Sequence, residues 1–285
     1  PPARRRLLDG RCYLTAQVLH ASRGCPYDCP FCTVTPYFGR QFRYRPADDV
    51  LSEIGSFRKD FVLFLDDNLL ADPARAVPIL RGLAWSGKKW ATQTTLRFGE
   101  DRELLALVAR SGCIGVFVGV EGVSGQSSAL PKSRLKSEKA DVVKRIQDAG
   151  VLVEVSFIFG FDAQGEEAFQ EAGDFVESCK PCAASFHLLT PYPGTAYFKQ
   201  FESEGRLMHK DWARYDGTEV VFVPKRTTAG RLYRRWVEAR QAVHSWASIL
   251  SRVASNPHHR FTNLAYNALR KAPNDRLDPG KMERG

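Results

Sequence analysis

Three cysteines crowded into eight residues are the part of the sequence best suited to chemistry. Cys25, Cys29 and Cys32 form a C-x3-C-x2-C pattern in the segment Cys-Pro-Tyr-Asp-Cys-Pro-Phe-Cys. Thiolates that converge from such a short loop can bind three irons of a 4Fe–4S cubane and leave the fourth iron open. An open metal position serves a reaction, because a purely structural site is normally closed by four protein ligands. The spacing therefore predicts a reactive iron–sulfur site.

A zinc site is the alternative interpretation of the same three cysteines. Zinc sites usually combine two C-x2-C units or add histidines at a regular spacing. The six histidines show no such spacing, and the remaining C-x2-C pair, Cys179 and Cys182, lies far along the chain. That pair is either a redox or second metal site or, as we expect, structural. Cys113 stands among apolar residues and is predicted to lie in the core.

Composition and charge narrow the class of protein. The 285 residues are 44% hydrophobic and 26% charged, as in an ordinary globular protein. The net charge of +9 is spread along the chain without an aromatic and basic RNA-binding pattern, so nucleic acid is not the expected partner. No apolar run approaches a membrane span, and no apolar segment follows the basic start as in a signal peptide. We therefore expect a cytoplasmic protein.

The elements that must hold the cysteines are visible as alternating patterns. Short apolar runs, typical of strands buried on both faces, cover 14–21, 61–65, 89–95, 115–120, 152–159 and 184–190. Helical patterns cover 46–57, 73–83, 103–109, 138–149, 166–178 and 196–204. Right-handed crossovers make such a sheet parallel. The pattern predicts an α/β fold, a partial (β/α)6 TIM-like barrel with its chemistry at the C-terminal ends of the strands.

The rest of the chain divides around this barrel, which we assign to residues 13–205. The other predicted parts are a linker over 1–12, a mostly helical extension over 206–272 and a flexible tail over 273–285. Helices are predicted in the extension over 228–253 and 257–272. The first of them carries four arginines, which indicate either a solvated face or a binding surface for an anionic or lipid-like substrate. They are Arg231, Arg234, Arg235 and Arg240.

The cluster loop carries a family resemblance. The stretch Ser-Arg-Gly-Cys-Pro-Tyr-Asp-Cys-Pro-Phe-Cys, residues 22–32, strongly resembles the cluster loop of the radical S-adenosylmethionine (SAM) superfamily, which follows the first strand of a partial barrel. The resemblance extends over about 14–204. It implies that SAM chelates the open iron through its amino and carboxylate groups, and that one electron from the cluster then yields a 5′-deoxyadenosyl radical. It also implies that Phe31 packs near the adenine.

Further cofactor contacts are predicted at the ends of the next strands. Asp66, Asp67 and Asn68 follow the second strand, where carboxylates could hold the ammonium group of SAM by charge-assisted hydrogen bonds. The alternative is that Asp67 and Asn68 cap the following turn. The superfamily often has Gly-Gly-Glu at this place, and Asp-Asp-Asn resembles its cobalamin-binding branch.

Two later strands resemble other cofactor-binding elements of the superfamily. Glu121, in Gly-Val-Glu-Gly, corresponds to the family's Gly-Ile-Glu-Ser and implies a contact to cofactor hydroxyls, the alternative being an ion pair with Arg97. The segment from Ser156 to Gly160 resembles the family's Gly-x-Ile-x-Gly element, in which backbone and Ile158 approach the adenine. Ser156 stands where the family has glycine.

The branch resemblance implies a reaction class. The turn Thr-Pro-Tyr-Pro-Gly-Thr at 190–195 also resembles the cobalamin-binding branch, whose members methylate unactivated carbons or recast rings. The sequence has no Asp-x-His-x-x-Gly cobalamin signature. Three alternatives follow: the chain is part of a longer protein, a cobalamin domain is supplied elsewhere, or the protein works without cobalamin. We therefore expect C-methylation or rearrangement of a small-molecule or lipid-like substrate, with an external electron donor such as flavodoxin or ferredoxin. The alternatives are a cobalamin-independent radical cyclase or isomerase and a non-catalytic Fe–S electron-transfer protein.

Overall fold

A six-stranded parallel sheet organises the chain. The computed structural model describes residues 3–7, 17–124, 130 and 135–283. The strands are β1 Val18–Leu19, β2 Ser22–Arg23, β3 Arg43–Tyr44, β4 Phe61–Phe64, β5 Lys89–Thr94, β6 Cys113–Glu121, β7 Leu152–Phe159 and β8 Ala183–Leu188. The main sheet has the order β1-β4-β5-β6-β7-β8 with all neighbours parallel, whereas β2 and β3 form a separate antiparallel pair. This confirms the predicted partial barrel.

Helices follow the strands as the sequence pattern predicts. They are α1 Val34–Phe38, α2 Ala47–Gly55, α3 Pro73–Ser86, α4 Arg102–Arg110, α5 Lys139–Asp148, α6 Glu167–Cys179, α7 Ala196–Ser203, α8 Ala229–Val243, α9 Trp246–Ser255 and α10 Arg260–Asp275. Among the described residues, no helix combines the length and the hydropathy that a membrane span requires. Cys12, residues 14–16 of the first predicted strand and most of the predicted linker lie outside the described residues.

The two faces of each strand serve different purposes. On β7, the Phe157 ring contacts the Phe175 ring of α6 with centroids 5.6 Å apart, so this face of the strand packs against the outer helices. Because side chains alternate along a strand, Glu154, Ser156 and Ile158 lie on the opposite, inner face. Valines and phenylalanines thus fill the layer beneath the helices. The inner face keeps the polar groups that a bound molecule could use.

The C-terminal helices close the open edge of the sheet at β8. The indole Nε1 of Trp236, on α8, donates to the carbonyl oxygen of Phe186 at 2.9 Å. On α10, the Asn267 amide donates to the carbonyl oxygen of Cys182 at 2.8 Å. These side chains satisfy backbone groups that an uncovered edge strand would expose to solvent or to another chain.

The extension differs in one respect from the prediction. A single helix over 228–253 is wrong, because α8 ends at Val243 and α9 begins at Trp246. Ser245 starts the second helix as its N-cap, accepting a hydrogen bond from the Ser248 N–H at 3.3 Å. A serine side chain competes with the helical backbone for such donors, which makes it a favourable helix start. Beyond α10, Lys281 lies 2.6 Å from Glu219, within the segment predicted to be a flexible tail.

The three described cysteines outside the cluster loop lie in the interior of the fold. Cys113, Cys179 and Cys182 are buried, and none of the described cysteines forms a disulfide. The Cys179 thiol lies 3.1 Å from the carbonyl oxygen of Phe175, one helical turn earlier. Burial raises the pKa of Cys179 to about 12, so the thiol stays protonated. The thiol is therefore a poor nucleophile or metal ligand at neutral pH.

His244 makes the fold sensitive to acid. It is buried with Nδ1 2.8 Å from the carbonyl oxygen of Arg240, and burial lowers its pKa from 6.5 to about 4. The charges of Arg270 and Arg252 act in the same direction. Because the unfolded chain takes up this proton at higher pH than the folded chain, stability is lost as the pH falls from about 6.5 towards 4. The loss attributable to His244 at pH ~4.5 is about 2–3 kcal/mol.

Urea unfolding of the wild type and His244→Asn at pH ~7 and ~4.5 measures this loss. The asparagine amide can still donate to the Arg240 carbonyl but does not titrate. The wild type should lose about 2–3 kcal/mol more than the variant on acidification. Equal losses would remove His244 as the cause.

Candidate active site

The cluster loop lies at the C-terminal edge of the sheet, between β2 and α1. Cys29 is buried, and Cys25 and Cys32 are half-buried. The Cys32 N–H donates to the carbonyl oxygen of Cys29 at 3.0 Å, which folds the loop back on itself. The carbonyl oxygen of Pro30 accepts from the Tyr197 N–H at 3.1 Å, which ties the loop to the start of α7.

The donor set fits a cubane. Within the described residues, no three His, Cys, Asp or Glu side chains are arranged around one point as a single metal ion requires. A cubane makes a different demand, since each thiolate binds its own iron. The Asn68 amide Nδ2 lies 4.0 Å from the Cys25 sulfur, and amide donors to ligand sulfurs are a usual feature around iron–sulfur clusters.

The Asp66 carboxylate anchors the segment that leads into the cluster loop. Its carboxylate is fully buried and accepts hydrogen bonds from the Ala21 N–H at 3.0 Å and from the Ser22 N–H and hydroxyl at 2.5 Å each. Burial raises the pKa of Asp66, and the hydrogen bonds from Ser22 and Ala21 oppose that rise. The sequence predicted a direct cofactor contact. In the structure, both carboxylate oxygens of Asp66 instead accept hydrogen bonds from Ala21 and Ser22, in the segment that leads into the cluster loop.

Asp67 and Asn68 face the loop as well. The Asp67 carboxylate is half-buried and accepts a hydrogen bond from the Gly24 backbone, and burial raises its pKa. The buried Asn68 accepts from the Thr94 hydroxyl at 2.9 Å, which orients its amide towards Cys25. The side chain that caps the following helix, α3, is Asp72. A cofactor contact by Asp67 stays a prediction.

Glu121 ends β6 in a strained conformation. Its φ of +64° lies in the left-handed region, and the β6–β7 register shifts between Gly119 and Glu121. Such a conformation costs about 1–3 kcal/mol and is concentrated at functional sites. The Lys139 ammonium donates to the carbonyl oxygens of Val120 at 3.3 Å and Gly122 at 2.8 Å, one on each side of Glu121. The strain is thus held in place by α5, and nothing in the sequence around Lys139 signals this.

Phe31 and Ile158 meet the same edge of the barrel. The Phe31 ring packs edge-to-face on Phe161, just beyond β7, with centroids 5.9 Å apart. Ile158 lies near the end of β7 on its inner face, and Ser156 is buried two residues before it. Gln164 closes the turn after β7 by accepting from the Gly160 N–H at 3.0 Å and donating to the Ile158 carbonyl at 3.3 Å. The adenine contacts of Phe31, Ser156 and Ile158 stay predictions.

Arg97 supports the loop from the next strand end. Its guanidinium donates to the Tyr27 hydroxyl, within the cluster loop, at 3.3 Å. The alternative suggested by the sequence was an ion pair of Arg97 with Glu121.

An open cavity of about 400 Å³ lies on the outer side of the loop and is lined by Cys29 and Cys32 and by the turn at Gly194 and Thr195.

Fold and site together define a partial barrel that presents a three-cysteine cluster loop at the C-terminal edge of its sheet. A family model described as Radical SAM superfamily matches residues 19–176, and the chain belongs to this superfamily. Membership implies a 4Fe–4S cluster and SAM as cofactors. The family predicted from the cysteine loop is confirmed.

Relatives point to one branch of the superfamily. The chain is 32% identical over 246 residues to bacteriochlorophyllide d C-12(1)-methyltransferase of Chlorobaculum tepidum, covering 83% of this chain and 53% of the relative. It is 23% identical to bacteriochlorophyllide d C-8(2)-methyltransferase of the same organism, covering 86% and 57%. The chain thus spans about half the length of these curated relatives.

A solved structure shares the fold. The radical SAM methyltransferase TsrM from Kitasatospora setae, solved with cobalamin and a 4Fe–4S cluster bound, superposes with a TM-score of 0.59. The sequences are 19% identical, and the match covers 66% of this chain and 39% of TsrM. At this identity the likeness concerns the architecture of the barrel.

Proposed function

We propose that this chain generates the radical for C-methylation of a small molecule, with cobalamin supplied by a separate domain or partner. The observation that carries the proposal is the anchored cluster loop, in which Asn68 reaches Cys25 and Asp67 faces the same edge. The likeness to two methyltransferases supports the reaction class. A cytoplasmic location is part of the proposal, since none of the described cysteines forms a disulfide.

The residues of this chain divide the work at the barrel edge. Cys25, Cys29 and Cys32 would bind the cluster, which supplies the electron that cleaves SAM. The Asp67 carboxylate would accept hydrogen bonds from the SAM ammonium group, and the Asn68 amide would stabilise the thiolate of Cys25. Phe31, packed on Phe161, would cover the adenine side and exclude water.

The barrel interior remains open for a substrate. On the inner face, Leu65 is 42% exposed, and the side chains of Gln93 and His187 are exposed as well. These positions lie on or directly after three different strands, so they surround one space. An external electron donor such as flavodoxin or ferredoxin would approach from the other side, where the outer cavity reaches Cys29 and Cys32.

Anaerobic reconstitution tests the proposal. The chain, loaded with iron and sulfide, is mixed with SAM, dithionite, bacteriochlorophyllide d as probe substrate, and either methylcobalamin or no cobalamin. We expect 5′-deoxyadenosine in both cases and a methylated product only with methylcobalamin. A redox-active cluster without SAM cleavage would identify an electron carrier. Cleavage with a ring-altered product that does not depend on cobalamin would identify a cyclase or isomerase.

The same preparation tests Asp67. Loss of one charge-assisted hydrogen-bond partner costs about 1.5–3 kcal/mol, so Asp67→Ala should weaken SAM binding roughly 10–100-fold with the cluster intact. Asp48→Ala, which removes an exposed carboxylate on α2, is the matched control. Equilibrium dialysis with SAM gives the affinity, and unchanged affinity in Asp67→Ala removes this residue from the site.

A further inference from the structure

Polar side chains on the inner face of β7 and β8 form a network that the cluster site does not use. Glu154 accepts hydrogen bonds from the Ser185 hydroxyl at 2.6 Å and from the Tyr266 hydroxyl at 2.5 Å. Arg270, on α10, forms an ion pair with Glu154 and donates to Ser185 at 2.6 Å. The charge of Arg270 is therefore matched by one carboxylate, and α10 is fixed against the barrel.

Arg240 adds a second positive charge beside this network. Its guanidinium lies over the Trp236 ring at 4.6 Å, and its Nε donates to the side-chain oxygen of Asn274 at 2.7 Å. Within the part of the chain that the structure describes, Arg240 forms no ion pair with an aspartate or glutamate. Burial and the charge of Arg270 lower the pKa of Arg240. A half-buried cation in this state is unfavourable unless an anion joins it.

The other arginines of α8 behave differently. Arg231 pairs with Glu166 at 2.7 Å, and Arg235 pairs with Glu238 at 2.7 Å, on the outer surface. They match the solvated face that the sequence pattern suggested. Arg240 matches the other interpretation, a surface for an anionic substrate.

Hydrogen bonds place Arg240 beside the inner face of the barrel. Asn274, which accepts from Arg240, donates to the carbonyl oxygen of Arg270 at 2.7 Å, and Arg270 reaches Ser185 on that face. His187 lies on β8 two residues after Ser185, and therefore on the same inner face. Its side chain is exposed, yet burial and then the charge of Arg240 lower its pKa, as expected for a group lining an open concave space. His187 is the register partner of Ile158, so it lies about one strand spacing, ~4.8 Å, from a predicted adenine contact.

We infer that Arg240, with His187 beside it, binds a carboxylate of the substrate at the β8 side of the barrel. Arg240, Arg270 and Glu154 together carry one uncompensated positive charge, which matches a monoanion and not a phosphate dianion. The planar guanidinium offers Nη donors in the geometry that suits a carboxylate. A carboxylate held there would anchor the remote end of a substrate whose reacting carbon lies nearer the cluster. The inference rests on the proposed function only in taking the barrel interior as the substrate site.

Calorimetry with octanoate as probe tests the inference without turnover. Octanol and octyl phosphate serve as the neutral and dianionic comparisons. On the reconstituted protein, octanoate should bind more tightly than both. Arg240→Gln should weaken octanoate binding roughly 10–100-fold, the effect of losing a charged hydrogen-bond donor. Arg240→Lys should retain part of the affinity, and Arg231→Gln, on the same helix, should match the wild type.

Each outcome decides the matter. Equal octanoate affinity in Arg240→Gln and wild type overturns the site, as does wild-type binding no tighter than octanol. Tighter binding of octyl phosphate overturns the carboxylate assignment. If circular dichroism shows that Arg240→Gln does not fold, Arg240→Lys is compared with the wild type instead. The site is overturned if these two proteins bind octanoate with identical affinity and neither prefers octanoate to the comparison compounds. Octanoate binding by a chain that fails to cleave SAM would refute the proposed function and keep the subsite.

Discussion

Replacing Cys29 with alanine is expected to reduce 5′-deoxyadenosine formation to the level of a protein-free sample. Cys29 is the buried member of the three cysteines and the middle ligand of the loop. With two thiolates left, a second iron of the cubane loses its protein ligand, and the cluster is not retained. Iron and sulfide content after anaerobic reconstitution, electron paramagnetic resonance of the reduced protein and chromatography of the nucleoside product measure the loss.

Cys179→Ala is the matched control for this prediction. It also removes one buried thiol, but from α6, where the sulfur contacts the carbonyl oxygen of Phe175 and not the cluster loop. It should keep the wild-type iron content and the wild-type yield of 5′-deoxyadenosine per cluster. An iron-free Cys29→Ala protein that still cleaved SAM would falsify the assignment of the loop.

The cluster loop and the barrel could be predicted because their signals are local in sequence. The three cysteines lie within eight consecutive positions, and each strand or helix is indicated by the hydrophobic periodicity of one short segment. Six such segments in alternation admit few topologies once crossovers must be right-handed. The strand order of the sheet follows from those two constraints.

The contacts that hold the site were harder to predict from the sequence, since they join residues that are far apart along the chain. Asp66 could be placed at the end of a strand, but its partners Ala21 and Ser22 lie 45 and 44 residues away. Arg270 and Glu154 are separated by 116 residues. Periodicity states which face a residue occupies, not which polar group of another element it meets. The role of Asp66 therefore emerged only with the tertiary structure.

The structure also shows why the loop can be both short and precise. Four hydrogen bonds tie it to neighbouring elements, through Asn68, Arg97, Tyr197 and Asp67. Tyr197 lies in the first turn of α7, and the other three partners lie within four residues of the end of β4 or β5. Ligands held by such rigid elements keep their geometry better than ligands on an unsupported loop.

Asp66→Ala is expected to cause the largest loss of stability among the predicted changes. The alanine leaves the N–H groups of Ala21 and Ser22 and the Ser22 hydroxyl without their buried acceptor. Each unsatisfied buried donor costs about 1–3 kcal/mol, and relaxation recovers part of the sum, so we expect about 3–5 kcal/mol. That is a large share of the ~5–15 kcal/mol that holds a typical domain together. Urea unfolding under anaerobic conditions measures it.

Two milder substitutions at the same place provide stability losses with which that of Asp66→Ala can be compared. Asp66→Asn keeps one acceptor oxygen for Ser22 but turns an amide donor towards the Ala21 N–H, so its loss should be intermediate. Ser22→Ala removes one hydroxyl together with its hydrogen bond and should cost about 1 kcal/mol. The iron content after reconstitution should fall in the same order, because the anchored segment leads directly into the loop.

This series also separates the two roles considered for Asp66. If the carboxylate positions the loop, stability and cluster yield fall together, and the SAM affinity of the molecules that do hold a cluster stays close to that of the wild type. If the carboxylate instead contacts the cofactor, as the sequence alone suggested, Asp66→Asn should weaken SAM binding while stability and iron content hold. The three hydrogen bonds from Ala21 and Ser22 favour the first outcome, because they use both carboxylate oxygens before any cofactor is bound.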